Sequence, residues 1–247
     1  MRTSINNLGI AFALLLLTVS LSLADDAGKT PAETRLAGPN GLTEIVRMQG
    51  PYDAEVPFQV VCYFKRTSDS DKRMTGAPVE LDKRLGGLIG SLRTRGEFAG
   101  EELETLLIDI PDGTIKPKRL LLIGLGDEAS LSLERMEKVG RVALREAVKL
   151  GVGKVAFAPL IRDQGNDKLR TGDVAMAVSR GVLLAYDTEK RLQKQGFAKA
   201  YTLEEWVVEA GPKYYDETVA GVKRAIAQAS DIARARNAKP YSMKSGR

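Results

Sequence analysis

The chain reads as an α/β protein with a mixed, mostly parallel sheet between helices. Two observations predict this. From residue 105 onward, short apolar runs alternate with long amphipathic ones, the order that lays helices over a parallel sheet. Residues 119–123 (RLLLI) are a continuous apolar run behind one arginine, as expected of a strand buried on both faces.

The elements follow in chain order. Residues 42–48 and 57–65 have β-type composition, and Gly50-Pro51 breaks the chain between them. These two strands are expected to pair at one side of the sheet. Residues 67–78 are a polar loop. Leu81, Leu85, Leu88, Ile89 and Leu92 recur at spacings of three and four, predicting one amphipathic helix over 81–95, ended by Gly96. Gly86, Gly87 and Gly90 fall inside it, where each glycine costs up to ~1 kcal/mol relative to alanine. Close packing on a sheet is one reason for them, and a ligand-facing patch another.

Residues 105–110 and 119–123 are strands, and Gly124-Leu125-Gly126-Asp127 turns the chain. Ser130 or Ser132 can cap the next helix, which runs to about Leu150. Arg135 stands where a capping box would need glutamate. Residues 154–160 form the next strand. A long helix follows over 171–195, with Thr171 as its N-cap and Asp173 in the first turn. Residues 202–210 are the last strand, with Trp206 read as core, and 218–235 the closing helix.

Residues 1–24 stand apart. Arg2, an uncharged apolar run over 8–23, and Ser22-Leu23-Ala24 ahead of Asp25-Asp26 have the layout of a secretory signal peptide. An uncleaved anchor or a buried helix is the alternative, although a bilayer span needs roughly 20 residues. The reading is therefore a signal peptide (1–24), a loose leader (25–41), one domain (42–240) and a tail (241–247). It implies export to a periplasm or the outside, with no membrane attachment once the signal is cut.

The formal charge is +5, and Lys and Arg are scattered along the chain. A scattered excess makes a solvated surface, whereas nucleic acid binding wants a basic stripe with aromatic platforms. Cys62 is the only cysteine, so the chain has no internal disulfide. It lies in an apolar run and reads as a small core residue. The chain contains no histidine. That removes Ser–His and Cys–His dyads and every histidine metal ligand.

The remaining polar constellations are weak. Gly124 and Gly126 sit between a strand and a helix, where such a turn can cradle a phosphate. Ala129 stands where the dinucleotide fingerprint wants a third glycine, and Asp127 and Glu128 would repel an anion. Glu101, Glu102, Glu104, Glu204 and Glu205 read as solvated charge. Residues 162–167 (RDQGND) follow a strand's C-terminal end, the edge where open parallel sheets bind ligands. Asp163 and Asn166 are the binding candidates there. No catalytic or metal-ligating residue is assigned.

Several segments resemble one family. Leu81-Asp82 opens a glycine-containing helix that leads to Gly96-Glu97-Phe98-Ala99-Gly100. Arg119-Leu120-Leu121-Leu122-Ile123-Gly124-Leu125-Gly126 follows, and then Gly181, Leu184 and Ala185 in a later helix. In that order they resemble the non-catalytic N-terminal domain of the leucyl aminopeptidases, over about two-thirds of the chain. Tyr186 comes one position earlier than the family's helix pattern has it. The resemblance implies a macro-domain-like, three-layer α/β/α fold. It also implies that two divalent metals are held by a separate C-terminal domain. The family's metal-binding "N-T-D-A-E-G-R-L" segment does not occur in the chain. The expectation is thus a non-catalytic module without a cofactor, standing alone, that works through a protein partner or as a homo-oligomer. A split aminopeptidase subunit and a nucleotide or ADP-ribose sensor are the alternatives.

Overall fold

A computed structural model describes residues 32–237. The expected signal peptide, the first part of the leader and the tail lie outside them. Seven strands form one sheet: β1 (Glu33–Ala37), β2 (Thr43–Arg47), β3 (Phe58–Tyr63), β4 (Thr105–Asp109), β5 (Arg119–Gly124), β6 (Lys154–Ala158) and β7 (Glu205–Glu209). Their spatial order is β1-β2-β7-β6-β3-β5-β4. The four interior pairings are parallel, and both edge strands run antiparallel to their neighbours.

Five helices cover this sheet: α1 (Ala77–Arg84), α2 (Leu88–Thr94), α3 (Leu133–Leu150), α4 (Thr171–Lys194) and α5 (Tyr215–Asn237). One sheet face presents Val46, Val60, Cys62, Leu121, Ile123 and Trp206 to α3, α4 and α5. Trp206 stacks on Phe157 at 5.8 Å. The opposite face presents Val61, Tyr63, Leu120 and Leu122 to Leu81 of α1 and Ile89 of α2. The predicted mixed sheet between helices is therefore the observed one. No helix among the described residues is long and apolar enough to cross a membrane.

Four expectations need correction. The two early strands do not pair: β3 lies mid-sheet between β5 and β6, while β2 pairs with β7. Every residue of β3 is buried, which its near-continuous apolar run requires. Next, residues 33–37 of the supposed leader are an edge strand. β1 has one neighbour, and Glu33 and Arg35 pair across the sheet with Arg47 and Glu205. A half-paired, charged edge carries little apolar signal.

The helix over 81–95 is two helices. Gly86 and Gly87 take φ of 65° and 82° with open space around them, so they form the break and do not pack on the sheet. The Asp82 carboxylate accepts from the N–H groups of Ile89 and Gly90, capping α2 from the preceding helix. Finally, Arg170, not Thr171, is the N-cap of α4. Ser132 does cap α3, accepting from the Arg135 N–H, and Gly96 turns left-handed just past α2.

Candidate functional site

A cleft of about 310 Å³ opens where β2, β6 and β7 end. All three strands run parallel, so their C-terminal ends share one edge. Prolines and glycines interrupt the chain just past each strand: Gly50-Pro51 after β2, Pro159 after β6, Gly211-Pro212 after β7. Past these breaks a hollow lies between the start of α4 and the loop before α5. Leu160, Ile161 and Val174 give it apolar walls, and the Tyr214 ring stands at one side. The volume falls at the low end of ordinary ligand pockets, on the order of 300–1,000 Å³.

Two carboxyl groups line this cleft. Glu209, the last residue of β7, is only 7% exposed. Its two oxygens accept from Gln49 Nε2 and Gln59 Nε2, each at 2.9 Å. Burial pushes its carboxyl up to about 8, against the two amide hydrogen bonds and a weaker pull from Arg47; Asp53 adds to the rise. Asp163 follows β6. Burial raises its carboxyl too, opposed by the Ala77 N–H at the start of α1.

The cleft's arginine is already committed. Arg162 donates from Nη2 to the Leu169 carbonyl at 2.7 Å and from Nε to Thr171 Oγ1 at 3.3 Å. Its guanidinium lies 5.7 Å from the Tyr214 ring centre. It therefore ties the loop after β6 to the start of α4.

Of the sequence candidates, the cleft brings in Asp163 alone. Asn166 is buried elsewhere in the same loop, donating to Glu128 and accepting from the Lys168 N–H. Gln164 pins that loop to the end of β3, accepting from the Phe64 N–H and donating to the Cys62 carbonyl, and it also donates to the Leu160 carbonyl of its own loop. Gly124 and Gly126 lie away from the cleft. A Cβ on Gly124 would sit 1.9 Å from the Glu101 carbonyl oxygen, so a glycine is needed there for the close approach of the loop before β4. Glu104 is no solvated charge: its carboxylate accepts from the N–H groups of Ala99, Gly100 and Glu101.

Sequence reasoning missed Glu209, Gln49 and Tyr214. The proline after each of three neighbouring strands was the available signal, but it needs the strand order to become one edge. Among the described residues, no group of three or more His, Cys, Asp or Glu is placed to hold a metal ion.

Residues 60–195 match the family model for the N-terminal domain of the cytosol aminopeptidase family. The chain belongs to this family. A probable cytosol aminopeptidase of Thermosynechococcus vestitus is 32% identical over 126 residues, which is 49% of this chain and 23% of the relative. The corresponding protein of Roseiflexus castenholzii is 33% identical over 104 residues, covering 42% and 20%. The chain's match thus spans less than a quarter of the length of these relatives.

Among solved structures, a tomato leucine aminopeptidase mutant overlays with a TM-score of 0.52 at 18% identity. The overlay covers 76% of this chain and 35% of that one. An Oceanobacillus iheyensis macrodomain with ADP overlays at 0.52 and 13%, covering 81% and 100%. Both likenesses concern the fold. The segment that matches the cytosol aminopeptidase family contains most of β3 and all of α4, and so supplies Asp163, Arg162 and the α4 wall of the cleft. Glu209 and Tyr214 lie beyond it.

Proposed function

We propose that this chain acts as an exported, non-catalytic binding module of the cytosol aminopeptidase family, holding a small molecule in the cleft at the ends of β2, β6 and β7. The cleft carries the reading. It is concave and largely apolar, with a few convergent polar groups, the usual make-up of a ligand site. It also sits at the sheet edge where such folds bind. The family match to an N-terminal domain supports a role outside catalysis, in assembly with a protein partner or with a second copy of this chain. The layout of residues 1–24 supports export, and mass spectrometry of the mature protein should find Asp25 at its N-terminus; an intact Met1 would overturn that part.

Gly211 provides the test of the cleft. Its φ is −71°, and a Cβ there would meet nothing within 4 Å, so Gly211→Trp should fold and fill the mouth. Native mass spectrometry of protein purified from its own cells should show a small-molecule adduct on the wild type that Gly211→Trp lacks. Identical spectra for the two would sink the cleft reading. A nucleotide or ADP-ribose ligand is the second reading, favoured by the overlay on a macrodomain solved with ADP. A subunit of a split aminopeptidase is the third, favoured by relatives named as probable cytosol aminopeptidases. Purified chain should not hydrolyse a leucine anilide with added Mn²⁺ or Zn²⁺, and metal-dependent turnover would refute the non-catalytic assignment.

A further inference from the structure

Most acids on this molecule have a basic partner. Glu33, Glu101, Glu102, Glu128, Glu137 and Glu205 all form ion pairs. The two acids of the cleft form none among the described residues. Glu209 receives only neutral amide N–H groups, and Arg47, the nearest basic influence on it, donates its Nε to Glu33. Asp163 receives a backbone N–H. Arg162, the cation of the cleft wall, is held by Leu169 and Thr171.

Burying a carboxylate without a counter-ion is costly, and a cation arriving from solvent relieves that cost. Beside the acids lie apolar walls and the Tyr214 ring. An aromatic face attracts a cation or another ring. An anionic ligand would meet two acids and a committed arginine. We propose that the cleft selects a small organic cation, a primary amine on an apolar or aromatic body, with the ammonium between Glu209 and Asp163 and the body along Leu160, Val174 and Tyr214. This rests on the cleft being a ligand site and names the class of ligand.

Glu44 is the internal control. It is a fully buried glutamate without a basic partner among the described residues, held by Ser179 on the α4 side of the sheet and away from the cleft lining. A cation in the cleft cannot reach it.

The test uses an isosteric series: phenethylamine, 2-phenylethanol and phenylacetate, with ADP as a fourth probe, titrated calorimetrically into the purified chain. Phenethylamine should bind at least tenfold tighter than the alcohol, and phenylacetate should not bind. Ammonium binding favours ionised Glu209, whose neighbours are Gln49, Gln59, Arg47 and Asp53. With the Glu209 carboxyl at about 8, affinity should rise by up to about tenfold per pH unit from pH 6 to 8 and then level. Glu209→Gln should weaken binding at least tenfold and flatten that profile. Glu44→Gln should keep both, with thermal unfolding confirming that each variant folds. Binding of phenylacetate or ADP in preference to the amine, lost in Gly211→Trp, would overturn the inference and keep the cleft as a site. If no probe shows binding that Gly211→Trp removes, both readings fall. Amine binding indifferent to Glu209→Gln would also refute the proposed cation site.

Discussion

Gly140→Ala and Gly181→Ala should each lower the unfolding free energy by about 1–3 kcal/mol, the range for overpacking a well-packed interior. The two glycines answer one another across the α3–α4 crossing. A Cβ on Gly140 would sit 2.2 Å from the Val178 carbonyl oxygen, and one on Gly181 would sit 2.1 Å from that of Glu137. Both obstacles are backbone, so no side chain can swing aside and the helices must separate. A glycine inside a helix costs roughly 0.5–1 kcal/mol relative to alanine, which the substitution recovers, but the lost packing is larger. The same logic recurs between α4 and α5. A Cβ on Gly172 meets the Glu217 carbonyl at 2.5 Å, and one on Gly221 meets that of Gly172 at 2.0 Å.

Around the first crossing, Glu137 accepts from both Arg180 and Arg141. Burial opposes ionisation there, yet the two guanidinium groups hold its carboxyl below the usual range. Separation of the helices would stretch this bridge as well. Because one displacement accommodates both methyls, the double substitution should cost clearly less than the sum of the singles. Urea denaturation measures this as a shift of midpoint at constant slope. Gly211→Ala, which meets nothing within 4 Å, should stay within about 0.5 kcal/mol of wild type. A Gly140→Ala midpoint equal to that of Gly211→Ala would refute the close-approach account.

These glycines also show what a single sequence carries. Local periodicity placed α3, α4, α5 and the interior strands, because each has an apolar pattern of its own. It fused α1 with α2, because the apolar spacing of Leu85, Leu88 and Leu92 runs across the left-handed pair Gly86-Gly87. Asp82, which caps α2, looks like any exposed acid until the turn brings it to the Ile89 N–H. Strand order was not legible either. β3 reaches mid-sheet only through its partners β5 and β6, which come far later in the chain. The cleft depends on that order. Asp163 was found because it directly follows a recognisable strand, whereas Glu209 looked like the last residue of an ordinary strand. Its role appears once β7 lies beside β2, bringing Gln49 against it.

Between pH 5 and 8 the protein should become less stable as pH rises, with Glu44 and Glu209 responsible. Burial raises both carboxyls from an ordinary 4.5 to about 8. At Glu44 the Ser179 hydroxyl opposes the rise; at Glu209 the Gln49 and Gln59 amides and Arg47 oppose it, and Asp53 assists it. Below about 4.5 both are protonated in either state, and folding meets no penalty. Above it the unfolded chain gives up these protons and the folded chain keeps them. Stability then falls by roughly 1 kcal/mol per pH unit for each group until about pH 8. Glu33, Glu137 and Glu205 act in the opposite sense. Their carboxyls lie below the ordinary value, so they lend stability that is lost as pH falls below about 4.5. The optimum should therefore lie near pH 5. Urea midpoints at pH 5, 6.5 and 8 measure the slope, and a wild-type curve that is flat or rises across this window would refute the assignment. Glu44→Gln should remove about half of the slope, since an amide oxygen can still accept from Ser179 and carries no charge to bury. Glu209→Gln should remove the other half. Saturating phenethylamine should separate the two acids without mutation: by pairing with Glu209 it should cancel that group's share, while the Glu44 share, sealed against α4, persists.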